Sequence, residues 1–125
     1  MERMTTQEII KQSCKVEGID FKKTYTALAK LLETDKFRVM RYGNSLLFYA
    51  ITEPKKAHVF LETADTGGEL LNAMRDFDKA LRMSGFIEAT MTVKNPQILS
   101  LIQRAGMQFT TAPLPTGGTL VTMKV

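Results

Sequence analysis

Residues 57–93 read AHVFLETADTGGELLNAMRDFDKALRMSGFIEATMTV, and this stretch decides the fold. Ala57 to Thr63, with Val59, Phe60 and Thr63, predicts a strand. Asp65-Thr66-Gly67-Gly68-Glu69 breaks it and opens a long amphipathic segment. There Leu70, Met74, Phe77 and Leu81 recur at helical spacing and line one face, and Gly85 is the natural stop. From Ile87 to Val93 the period falls to two. Ile87, Ala89, Met91 and Val93 point one way, and Glu88, Thr90 and Thr92 the other. A strand, a helix and a strand in succession imply a right-handed crossover between two parallel neighbours.

Upstream of this unit, Pro54-Lys55-Lys56 predicts a turn and Leu46 to Ile51 forms a continuous apolar run. Such a run implies burial on both faces and hence a central strand. Gly43-Asn44 is a hairpin dipeptide, so Phe37 to Tyr42 is the partner strand. Asp20 caps a helix reaching about Glu33, whose Phe21, Tyr25, Leu28 and Leu32 share one face. A shorter helix over residues 5–13 precedes it, with Gln7 and Glu8 in the first turn. Downstream, Asn95-Pro96 opens a short helix that runs to about Ala105, with proline at its favoured first position and Gly106 after the end. Two final strands, about 107–112 and 119–125, flank the turn at residues 113–118. The order is α-α-β-β-β-α-β-α-β-β. It predicts one domain over residues 1–125 of the α+β class, a mixed α/β sheet. The sheet is mostly antiparallel, with one parallel β-α-β crossover and helices on both faces.

Composition narrows the function classes. The 125 residues are 44% hydrophobic and 24% charged, the mix of an ordinary globular domain. No apolar run reaches the ~18–20 residues a membrane helix needs, and the first residues lack a secretory apolar stretch, so a cytoplasmic protein is expected. Cys14 is the only cysteine and His58 the only histidine. An internal disulfide is ruled out, and no metal site is expected. The net charge of +4 is spread along the chain in short groups such as Lys22-Lys23 and Lys55-Lys56. That pattern is a solvated surface, and nucleic acid is not an expected partner.

The element order, together with the segment Asn95-Pro96-Gln97-Ile98-Leu99-Ser100-Leu101-Ile102-Gln103-Arg104-Ala105-Gly106-Met107, resembles the GNAT superfamily of acyl-CoA-dependent N-acyltransferases. Asn95, Leu101, Arg104 and Gly106 fall in register with the family's C-terminal signature, and Met107 stands for its usual phenylalanine. The match covers about residues 37–125. The two N-terminal helices correspond to the family's first two, and its first strand is absent or reduced to Met1–Met4.

The resemblance implies acetyl-CoA as cofactor, held on backbone N–H groups where the central helix begins, the anion site that a helix start supplies. Thr63, Gly67, Gly68 and Asn95 fall at the cofactor-contacting positions, although Thr63 occupies the place of the family's basic residue. Two readings of this loop compete. The glycines permit close approach of a pyrophosphate. Thr66-x-x-Glu69 has the spacing of a capping box, which would use the same donors, and Asp65 and Glu69 add negative charge there. The residues favour the capping reading and a degraded cofactor loop. Glu62 corresponds to the family's general base, and His58 shares its face. The position of the family's acidic tyrosine holds Ile102, which has no proton to give. Two functions follow: an acyl-CoA-dependent N-acetyltransferase acting on an amine, or a non-catalytic GNAT-like protein of a phage particle, its assembly or its host interaction, acting through a protein partner. The resemblance further implies a homodimer formed through the C-terminal strands, at Thr119 to Val125.

Overall fold

A computed structural model describes residues 3–125. The elements are α1 (Thr6–Glu17), α2 (Phe21–Leu32), β1 (Phe37–Tyr42), β2 (Ser45–Glu53), β3 (Lys56–Thr63), α3 (Gly67–Met83), β4 (Glu88–Val93), α4 (Pro96–Arg104), β5 (Phe109–Pro113) and β6 (Thr119–Lys124). This is the predicted order. Met1 and Glu2 lie outside the described residues, and no strand forms at Arg3 or Met4.

The strands form one six-stranded sheet in the order β1-β2-β3-β4-β6-β5. Every neighbouring pair is antiparallel except β3 and β4. Helix α3 makes that parallel crossover, as a parallel pair requires. Helices α3 and α4 cover one face, where Phe77, Leu81 and Ile102 pack with Val59, Met91 and Val121. Helices α1 and α2 cover the other over β1–β3, where Ile9, Ile10, Cys14 and Leu28 pack on Phe37, Leu46 and Phe48. The α+β class and the mixed sheet with helices on both faces are as expected.

The local chemistry of the helix ends explains most boundaries. Thr5 and Glu8 form a reciprocal capping box at the start of α1. The helix ends at Gly18, whose φ of 71° is left-handed, so α1 runs four residues past the predicted Ser13. Asp20 caps α2 through the Lys22 N–H, 3.2 Å away.

Three expectations need correction. The apolar run of β2 is buried from Ser45 to Phe48, but Ile51 is exposed. β2 lies second from the edge, and its cover thins along the strand: Tyr49 and Ala50 are half-buried against the two core layers, and the residues from Ile51 on are exposed. Ile87 does not join the buried row of Ala89, Met91 and Val93; it precedes β4 and is exposed. Finally, β6 is no edge: it pairs with β4 on one side and β5 on the other. Thr119 to Lys124 therefore have their ladder partners already, and the edges of the sheet are β1 and β5.

Candidate functional site

The parallel ladder between β3 and β4 runs from Lys56↔Glu88 to Val59↔Met91 and stops. Beyond it, β3 continues to Thr63 against β2, and β4 continues to Val93 against β6. Each strand is held by its outer neighbour while the two part from each other. A cavity of about 190 Å3 lies where they diverge. Its wall comes from α1 (Gln12, Ser13, Glu17), from the β3–α3 loop with Gly67, and from the start of α4 (Asn95, Ile98). The crossover thus places a strand opening and the beginnings of two helices around one space, the usual position of a ligand in sheets with parallel strands.

The β3–α3 loop differs from the reading its residues favoured. Thr66 stands at the N-cap of α3 in extended conformation (φ −137°, ψ 162°), and its side chain makes no capping hydrogen bond. The capping box does not form. The reason is Gly67, whose φ of 56° lies outside the helical region that the first turn of a capping box needs. The space where a Cβ of Gly67 or Gly68 would sit is open. The first N–H groups of α3 are therefore not consumed by side-chain caps, and the helix opens with its donors available.

Asp65 also lines the cavity, but its carboxylate is engaged by the hairpin. Asp65 is 6% exposed and turns back into the β1–β2 hairpin. There the Asn44 N–H donates to its Oδ2 (3.0 Å) and the Ser45 hydroxyl donates to the same oxygen (2.7 Å). The Asp65 N–H donates to Thr63 Oγ1 (3.0 Å), which lies 2.6 Å from Ser45 Oγ. With Ser45 donating to Asp65, the Thr63 hydroxyl donates to Ser45 and the ring closes. The Thr63 side chain is thereby bound within the protein. Glu69 is exposed and lies toward a separate surface basin with Arg3, Arg41 and Tyr42.

The carboxylates sit on the α1 side. Glu62 lies opposite Leu46 near the end of β3. Burial holds its pKa above the ordinary 4.5; the Ser13 hydroxyl opposes that rise and the charge of Glu17 adds to it. Its Oε2 is buried without a hydrogen-bond partner. Glu62 is not among the residues lining the cavity, whereas Ser13, against which it lies, is. Glu17 lines the cavity directly. Its pKa is also raised, chiefly by burial, with Lys94 opposing the rise. Glu62 and Glu17 thus stand beside the cavity as two carboxyl groups whose pKa values are raised, and a raised pKa makes a carboxylate a stronger proton acceptor.

The remaining candidates divide. Asn95 reaches the cavity, but its Oδ1 accepts from the Gln97 N–H (3.0 Å) and caps α4. Ile102 is fully buried in the core beneath α3 and α4, and no tyrosine lines the cavity. His58 shares the Glu62 face but bonds Thr90 Oγ1 through Nδ1 (2.7 Å) and meets Phe60 edge-on. Burial lowers its pKa. Cys14 is buried among apolar side chains, which raises its thiol pKa, so it is no nucleophile. Among the described residues no group of three His, Cys, Asp or Glu is placed to hold a metal ion. Sequence reasoning missed Ser13 and Glu17. Their spacing of four residues, which stacks them on one helix face, was the available signal, but it did not say which face met the sheet.

No protein-family model matches the chain, and no curated protein matches it. Solved structures do. An alanine N-acetyltransferase of ribosomal protein from Brucella melitensis is 14% identical, with 86% of this chain and 78% of that one covered at a TM-score of 0.58. A Bacillus subtilis acetyltransferase in complex with CoA is 11% identical and covers 99% of this chain and 94% of its own, at 0.64. The microcin C7 self-immunity acetyltransferase, in complex with acetyl-CoA and AMP, is 11% identical, covers 95% and 83%, and reaches 0.62. At these identities the likeness establishes the fold.

Proposed function

We propose that this chain, which has the GNAT fold, is a small acyl-CoA-dependent N-acetyltransferase that acts on an amine. The observation that carries the reading is the meeting of the uncapped start of α3 with a strand opening flanked by raised-pKa carboxyls. The residues present fit the cofactor: open N–H groups at Gly67 and Gly68 favour a pyrophosphate, and the Asp65 carboxylate is already occupied by donors of the hairpin. When bound, acetyl-CoA supplies a thioester carbonyl as acyl donor. Glu17 on the wall offers a counter-charge to the protonated amine. Glu62 would take the proton of the amine as general base, with Ser13 on the cavity wall between them. No tyrosine lines the cavity to protonate the departing sulfur. With the cofactor bound, water reaching the open cavity would have to supply that proton. Cys14, reduced and free, suits a cytoplasmic setting.

Calorimetry with acetyl-CoA and CoA tests binding, and turnover with simple primary amines tests chemistry. Glu62→Gln should lower kcat by about 10²–10⁴-fold, the range for loss of a general base. No heat at millimolar acetyl-CoA would refute the reading. The burial of Ile102 where the family carries its acid favours a second reading, a non-catalytic protein-binding module of a phage particle or its assembly. Stoichiometric recovery in purified virions, without turnover in solution, would establish that one instead.

A further inference from the structure

We propose that Asp65 is a positioning residue that holds the β3–α3 loop in its open form, in place of the capping box that the loop's sequence would otherwise build. The inference deepens the acyl-CoA reading and rests on it only for the choice of ligand.

The argument starts from what the helix start lacks. A regular first turn with Thr66 as N-cap and Glu69 three residues on would close on itself and satisfy its own donors. In this chain it does not, although both residues are present. What differs is the residue before. The Asp65 carboxylate is buried and accepts two hydrogen bonds from the β1–β2 hairpin, from the Asn44 N–H and the Ser45 hydroxyl. Its own N–H is fixed to Thr63. The Ala64 N–H donates to the Asn44 carbonyl (2.9 Å), so two successive loop residues are pinned to the same turn. The turn is itself secured, because the Met4 N–H (3.2 Å) and Arg41 Nη2 (3.0 Å) both donate to Asn44 Oδ1, and Arg41 Nε donates to the Gly43 carbonyl (2.9 Å).

With the chain fixed at Asp65 and the helix axis fixed by Leu70, Met74 and Phe77 in the core, Thr66 and Gly67 must span between two rigid ends. The left-handed Gly67 makes that span, at a conformation glycine reaches without strain. The hairpin also satisfies the buried charge, since two of its donors meet the Asp65 carboxylate. Gly43 shows how closely the junction is fitted, since a Cβ there would lie 3.1 Å from Asp65 Oδ2. The hairpin dipeptide and the acidic residue, far apart in sequence, are one device for holding the helix start open.

The test uses the full chain and three variants. Asp65→Ala removes the acceptor. Asp65→Asn keeps an oxygen that can accept from Asn44 and Ser45. Ser45→Ala removes one of the two hairpin donors to the carboxylate while leaving the carboxylate in place. Amide exchange and the nitrogen chemical shifts of Asn44, Gly67 and Gly68 are read in the free protein, and CoA affinity by calorimetry. In Asp65→Ala the Asn44 amide should lose at least tenfold in protection, the Gly67 and Gly68 resonances should move, and CoA should bind at least tenfold more weakly. Asp65→Asn should recover the wild-type resonances and bring affinity back within about threefold. Unmoved glycine resonances in Asp65→Ala, or an Asn variant as impaired as the alanine, would overturn the proposal. If Asp65→Ala does not fold, Ser45→Ala decides: it should displace the same resonances, and unchanged ones would count against the role. If the wild-type protein binds no CoA, the cofactor reading fails, while the resonances of the free protein still judge the position of the loop.

Discussion

Replacing Glu62 by glutamine isolates one buried charge, and its effect on stability has a definite sign. In the unfolded chain this carboxyl titrates near 4.5; in the folded protein burial raises it. Between those two values the folded state holds a proton that the unfolded state has released. Stability therefore falls as pH rises through this window and levels off above the folded value. Below about pH 4.5 both states are protonated and glutamine resembles the acid. Above the window the wild type carries a poorly solvated charge that the variant lacks. The difference in unfolding free energy, variant minus wild type, should grow by about 1.4 kcal/mol for each unit by which the folded pKa exceeds the unfolded one. The part of the carboxylate that water still reaches reduces this figure. Glu17 and Asp78 are raised by burial too, and His58 is lowered, which gives a slope of the opposite sign through its ordinary 6.5. Asp78 and His58 are common to both proteins and cancel in the difference, whereas the repulsion between Glu17 and Glu62 is lost in the variant and belongs to the measured effect. Urea unfolding of the two proteins at half-unit steps from pH 4 to 8 measures it, at constant m-value. A difference that stays flat, or shrinks as pH rises, would refute the assignment of Glu62 as a desolvated carboxyl.

Two further predictions concern residues that the family resemblance marks. Ile102→Ala should cost about 2–5 kcal/mol of stability, as for large-to-small changes in a closed core, and thermal unfolding checks it. Asn95→Ala removes the cap of α4 and should cost about 1 kcal/mol, with faster amide exchange at Gln97 as the local sign.

The legible parts of the fold were those that local chemistry specifies. The apolar rows of α3 and β4 could be read because their spacing matches a helix and a strand. Gly43-Asn44 announced the first hairpin and Asn95-Pro96 the start of α4. The misreadings shared one cause. Ile51 and Ile87 are apolar and lie in or beside strands, yet whether an apolar residue is covered depends on which layer reaches it. The role of β6 depended on strand order, which no hairpin or helix signal encodes. In the site, Glu62, Thr63, Gly67 and Asn95 were all named from the sequence, but the serine and second carboxylate of α1 were not, because they come from a helix some 45 residues earlier.

The sequence by itself determined the alternation of elements, the crossover and the absence of a tyrosine in α4, since each depends on residue type and spacing along the chain. The tertiary structure alone decided the state of the loop before α3. Thr66 and Glu69 are suited to close that helix on itself, and local propensity points there. The hairpin that captures Asp65 comes from 20 residues upstream, and its hydrogen bonds outweigh the local preference. Short-range rules count only donors and acceptors a few residues apart; the folded protein counts every one within reach.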